Sequence, residues 1–153
     1  MKKRALCLCL AAILVLSLAA CGGKDTAKPY DTGAAEAILA SGCFSEQLEE
    51  LPATLIYDRL DGESLTSSVV YASTGATAEE LAVLVCSDEK AAAAAKEVLQ
   101  ARIDAQKAVL ASYQPREISK LDNALLEQRG STVLMVVAAD DAAVKAALAD
   151  WEK

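Results

Sequence analysis

Thr77-Ala78-Glu79-Glu80-Leu81-Ala82-Val83-Leu84-Val85-Cys86 is the stretch on which the fold class turns. Thr77 and Glu80 have the spacing of a capping box, which would open a helix running into the segment that follows. Against that, Leu81 to Cys86 is a bounded apolar run with β-branched members, and fresh helix caps, Ser87 and Asp88, stand directly after it. The run reads as a buried strand, with Thr77 and Glu80 as surface polar residues at its mouth. In an extended chain the side chains of Glu79 and Glu80 point to opposite faces, so the two read as separate surface carboxylates rather than a cooperating acid–base pair.

Working outward, Ser68-Val69-Val70-Tyr71-Ala72 has the composition of a strand, and Gly75 breaks the chain between it and the next. Glu89 to Ser112 is plainly helical. Leu99, Ile103, Gln106 and Leu110 recur at near-helical spacing, so one face should pack on a sheet, and Pro115 ends the helix. Leu121–Gln128 and Thr132–Ala139 flank Arg129-Gly130-Ser131, a hairpin signal in which Gly130 supplies the positive φ of a tight connection. The second of these strands is apolar on both faces and should be central. Asp140 caps a last helix, Asp141 to Trp151, with Val144, Ala147, Leu148 and Trp151 on one side. Upstream, Ala34 to Leu51 is loosely helical with a weak point at Gly42 and a stop at Pro52, while residues 55–65 have no clear period. The sum is an α+β fold: an antiparallel sheet of about four strands, a long helix between two hairpins and a C-terminal helix, with the helices over one face.

The first twenty residues carry an address instead of a fold. Met1-Lys2-Lys3-Arg4 is a positive n-region, and Ala5 to Ala20 is apolar but for Ser17, too short a run to span a bilayer as a helix. It ends in Leu18-Ala19-Ala20-Cys21, which resembles the lipobox of bacterial lipoproteins. In that family the Cys21 thiol receives a diacylglyceryl group and the chain is cut before it, leaving a mature protein on two acyl chains, enough for stable anchoring. Residues 1–20 are therefore expected to be a signal peptide, 21–32 a lipidated cysteine and flexible tether rich in Gly, Pro and polar residues, and 33–153 one domain. Cys7 and Cys9 leave with the signal.

The chain has 153 residues, 15 Lys+Arg, 22 Asp+Glu, no His and five Cys, for a formal charge of −7. Loss of Lys2, Lys3 and Arg4 takes the mature charge to −10. An acidic body of this kind argues against a nucleic-acid partner and against electrostatic attraction to an anionic membrane, so attachment rests on the lipid at Cys21. Without His there is no Ser-His-Asp or Cys-His machinery and no His-ligated metal.

The lipobox and tether, Ser68-Val69-Val70-Tyr71, Thr74 to Val83, the long charged helix, Tyr113-Gln114-Pro115, Asp122-Asn123-Ala124 and the Gly130 hairpin together resemble the small Gram-positive lipoproteins of the domain of unknown function 4358 family. The resemblance covers most of the mature chain in the same order. It implies a Firmicutes-type lipoprotein on the outer face of the cytoplasmic membrane, with Cys21 as the lipid site, and implies no activity, catalytic set or cofactor.

The remaining candidates are few. Asp140-Asp141 reads as helix capping, since no loop of spaced carboxylates surrounds it to make a Ca²⁺ site. Ser67, Ser68 and Ser73 lack a neighbouring base unless Lys120 or Lys90 forms a Ser-Lys dyad with one of them. Cys43 and Cys86 read as two buried free thiols, with a disulfide between the first helix and the second strand as the alternative, and no Cys-x-x-Cys motif points to redox work. Tyr113 and Trp151 should cover the edge of the core, an exposed Trp being instead a binding anchor. No catalytic, cofactor or metal residues are assigned. The expected function is a non-catalytic, membrane-anchored module that binds an envelope protein or small ligand. The alternatives are an envelope-acting hydrolase using carboxylates or a Ser-Lys dyad, and an accessory subunit of an exported machine.

Overall fold

The computed structural model describes residues 27–75 and 77–153; Cys21 and the apolar run before it lie outside the described residues. In chain order the elements are α1 (Thr32–Ala40), β1 (Glu49–Glu50), α2 (Ala53–Ile56), β2 (Leu65–Ala72), β3 (Glu80–Cys86), α3 (Glu89–Tyr113), α4 (Ile118–Asp122), β4 (Leu125–Arg129), β5 (Thr132–Val137) and α5 (Asp141–Trp151), with 3₁₀ turns at Gly62–Ser64 and Pro115–Glu117. The strands form one antiparallel sheet in the order β1-β2-β3-β5-β4.

The deciding stretch is a strand, and it occupies the middle of the sheet: Val83 lies opposite Val69 of β2 on one side and Leu134 of β5 on the other. A strand paired on both sides and covered on both faces needs apolar residues along its length, which is what Leu81 to Cys86 and Val133 to Val137 supply. Leu81, Val83, Leu134 and Val136 enter a cluster with Ile38 of α1 and Val144 and Leu148 of α5. Ala82, Leu84, Val133, Met135 and Val137 enter another with Ala92, Ala95, Leu99 and Ile103 of α3. The period-two alternation therefore feeds two cores, and the helices cover both faces rather than one. Each fully buried Leu or Val contributes roughly 1.5–3 kcal/mol.

α3 starts where Asp88 accepts a hydrogen bond from the Ala91 amide (2.7 Å). Its 25 residues are about 37 Å long at 1.5 Å per residue, against about 23 Å for a seven-residue strand. Its fully buried positions stop at Ile103. The last turns overrun the sheet and rest on the 3₁₀ turn and α4, leaving Val109 and Tyr113 exposed; Tyr113, 81% exposed, does not cover the core.

Other elements differ from the sequence expectation for identifiable reasons. α1 ends at Ala40 because Gly42, at φ +73°, reverses the chain, and residues 49–50 then add the fifth strand. Residues 55–65 hold the end of α2 and a 3₁₀ turn, with Pro52 just before α2. Leu121 belongs to α4, not to a strand: the turn opened by Pro115 continues as helix and buries Leu121 against α3. The body also begins before residue 33. Tyr30 is buried, its amide donating to Thr132 Oγ1 (2.9 Å), and Asp31 caps α1 through the Ala34 amide (3.1 Å).

Candidate functional site

Glu79 and Glu80 point to opposite sides, as strand geometry requires, but neither is a surface carboxylate. Each is 1% exposed. Ionised carboxylates are rarely buried unless their lone pairs are taken up, and here every oxygen has a donor. Glu79 Oε1 accepts from the Ser45 hydroxyl (2.8 Å), the Ser45 amide (3.0 Å) and Lys120 Nζ (3.1 Å), and Oε2 from the Ser45 amide (3.0 Å). Lys120 also bridges to Glu117 (3.0 Å), which accepts from the Ala78 amide (3.0 Å). Thr77 is half-buried, donating to Glu46 (2.7 Å) and accepting from the Glu79 amide (3.2 Å). The loop after α1, the mouth of β3 and the start of α4 are thus tied at one point.

Glu80 is held from the other side of the sheet. Its Oε1 accepts from the Tyr57 hydroxyl (2.7 Å), and its Oε2 from Arg102 Nε (3.2 Å) and Nη2 (3.1 Å) and more distantly from Gln106 (3.5 Å). Arg102 stands one residue before the buried Ile103, at the border of the packed face of α3, from where its half-buried side chain reaches the carboxylate. Burial, reinforced by the Glu80 charge and hydrogen bond, raises Tyr57 well above its ordinary range, keeping it a donor. Burial alone would lower Lys120, but its bonds to Glu117 and Glu79 overcome this and hold the ammonium above its usual value.

That protonated lysine decides the chemistry of the cluster. A Ser-Lys dyad needs a neutral amine to take the hydroxyl proton. Lys120 comes within 3.5 Å of Ser45, not of Ser67, Ser68 or Ser73, and Ser45 Oγ already donates to Glu79. Among the described residues no hydrogen bond joins Lys120 or Lys90 to those three serines. Asp140 caps α5 through the Ala142 and Ala143 amides (both 3.0 Å), and Asp141 pairs with Lys145 (2.9 Å). Among the described residues no group of three or more metal-ligating side chains converges.

The two thiols lie in different cores, Cys43 with Ile38 and Leu81, Cys86 with Leu84 and Ala92, so the sheet separates them and both are free. Burial raises both thiols above their usual range, which makes them poor nucleophiles.

A second polar cluster lies where the described chain begins. Lys28 Nζ sits 4.0 Å over the Trp151 ring, and Tyr30 stacks on Trp151 at 5.8 Å. The Tyr30 hydroxyl donates to Glu127, Arg129 lies 4.3 Å over the Tyr30 ring, and Arg129 pairs with Glu152. Trp151 Nε1 donates to Asp31 (3.2 Å), so Trp151 is spent holding the N-terminal segment to the end of α5.

The model of a domain of unknown function, DUF4358, matches residues 56–138. The chain belongs to that family. The matched residues run from the end of α2 past β5 and include Tyr57, Glu79, Glu80, Arg102, Glu117 and Lys120; Ser45, α1 and α5 lie outside them. No curated protein and no solved structure matches the chain. Among the described residues no helix is long and apolar enough to cross a membrane.

Sequence reasoning missed the partners more than the carboxylates. Ser45 sits past the weak point at Gly42 in a segment of only loose helical spacing, and Tyr57 in one with no clear period. Two acidic residues directly before a run of six apolar ones were the available signal: the first position of a doubly covered strand is itself buried.

Proposed function

We propose that this DUF4358 protein is an extracytoplasmic lipoprotein, anchored through Cys21, whose domain is a non-catalytic interaction module of the cell envelope. The observation that carries the reading is the state of the Glu79 and Glu80 centres: their oxygens accept from protein donors and the neighbouring lysine is held protonated, so the residues best placed for acid–base work are engaged in joining elements. The address comes from Lys2 to Cys21. The six-residue reach from Cys21 to Ala27 is at most about 22 Å, and Lys28 is already docked on Trp151. A module held this near a bilayer meets partners at the membrane surface.

The test is incubation of the purified full chain with envelope extracts, following both retention and turnover. Specific retention without chemical change is the expected result, equal for wild type and a folded Glu79→Gln variant. Turnover of envelope material that Glu79→Gln abolishes would overturn the non-catalytic reading.

A further inference from the structure

We propose that the open edge of β2, from Leu65 to Val69, is a docking site for a basic, extended peptide segment that adds to the sheet as a further strand. The inference rests on the interaction-module reading and names the class of partner.

The edge is open because its neighbour is short. β1 covers β2 only at Tyr71 and Ala72, and the last bond of that ladder runs from the Leu51 amide to the Val70 carbonyl (2.9 Å). Pro52, which has no N–H, follows, and the chain turns into α2. In an antiparallel strand the N–H and C=O of one residue point to the same side and alternate along the chain. Since Val70 faces β1, Ser68 presents its N–H and C=O to the same side, and among the described residues no strand lies there. Thr66, Ser67 and Ser68 are exposed. The opposite side of the same residues is fully used, Ser67 to Ala72 being paired with Val85 to Glu80 of β3, so the edge is rigid and its groups are already aligned. The irregularity between Leu65 and Ser67 ends the usable edge at its far end.

Charge selects the occupant. Residues 44–89 hold ten Asp and Glu and a single basic residue, Arg59. Glu79 and Glu80 are neutralised by Lys120 and Arg102. The exposed Glu49 and Glu50 stand beyond one end of the open edge, and Asp61, Glu63 and Asp88 near the other, where the Ser87 amide donates to the Ser64 carbonyl (2.8 Å). Two such edges would repel each other, which disfavours a second copy of this chain. A strand carrying Lys or Arg gains main-chain hydrogen bonds from β2 and attraction from both flanks.

The experiment titrates the full chain, in detergent, with a short synthetic peptide alternating Lys and Val, with its Glu-Val counterpart, and with a Lys-Val peptide N-methylated on alternate residues. Amide hydrogen exchange is read by residue. The expected result is binding of the Lys-Val peptide that weakens with salt, protection of the Ser68 amide, no binding of the acidic peptide, and a loss of about tenfold or more on N-methylation, since each main-chain bond withheld is worth roughly a factor of ten. Ser68→Pro, which removes an unpaired N–H from an edge position and should leave the fold intact, should abolish binding. Equal binding of the N-methylated peptide, protection elsewhere than β2, or self-association through this edge would each overturn the proposal. Retention of an envelope component by a chain that ignores the Lys-Val peptide would overturn it while leaving the interaction-module reading in place.

Discussion

Replacing Lys120 with Met should destabilise the domain more than replacing the carboxylate it serves. Among the described residues Lys120 is the only cation on Glu79, and the Glu79 side chain has no solvent exposure. Its loss leaves a buried negative charge with the Ser45 donors alone and brings Glu117 in beside it without a counter-ion. Breaking a buried pair from one side costs about 3–5 kcal/mol; with Lys120 itself 15% exposed, water can relieve part of this, so the expected loss is about 2–4 kcal/mol. Glu79→Gln keeps an acceptor for Ser45, removes the charge, and should cost about 1–2 kcal/mol. The double variant removes both members, and its cost should fall short of the sum by at least about 1 kcal/mol. Urea unfolding followed by circular dichroism, on wild type, both single variants and the double, gives the four numbers. Additive effects, or a loss below about 0.5 kcal/mol for Lys120→Met, would refute the claim that this ion pair ties the mouth of β3 to α4.

Stability should fall on the alkaline side. The folded-state values of Tyr57 and Lys120 lie above their ordinary values of 10.0 and 10.5, so their contribution is complete below about pH 10 and is lost as pH rises from there through the raised values. Each group that unfolding frees to titrate costs up to about 1.4 kcal/mol per pH unit; midpoints measured at pH 8 to 11 should show the decline, and Tyr57→Phe should flatten it, whereas an unchanged midpoint would count against the burial of these groups. In the native protein the peptides containing Cys43 and Cys86 should stay unlabelled by a thiol reagent and become labelled together on unfolding; a native disulfide between them would contradict the two-core arrangement. Gly130→Ala, at φ +58° with open space around the added methyl, should cost about 1 kcal/mol of backbone strain without disturbing the core. A loss well beyond that would indicate a contact at the hairpin that the structure does not contain.

What the sequence disclosed depended on whether the local pattern carried the information. β3, β5, α3 and α5 were legible nearly to the residue, because an apolar run bounded by caps and a helix with Asp88 or Asp140 before it state their own limits. The two-sided burial of β3 is also written there, in its unbroken apolar composition, yet the one-face assignment of the helices misses it, because α1, with four alanines in nine residues, gives a weak amphipathic signal. β1 was invisible: two glutamates become a strand only because β2 lies beside them. The buried carboxylates were misread for the same reason. Whether Glu79 is solvated or internal depends on Ser45 and Lys120, distant in the chain, and no local period encodes that meeting. Tyr30 likewise looked like tether until Thr132, Glu127 and Trp151 closed around it.

The proposed function depends most on the anchor, because a domain held by lipid on the outer face of a membrane meets partners that a cytoplasmic one does not. Intact mass analysis of the N-terminus of the protein isolated from membranes is the direct measurement. Anchoring through Cys21 predicts that the chain begins at Cys21 with a diacylglyceryl group on its sulfur, and that Cys21→Ser yields the uncleaved precursor. A chain that retains residues 1–20, or that begins at an unmodified Cys21, would contradict it.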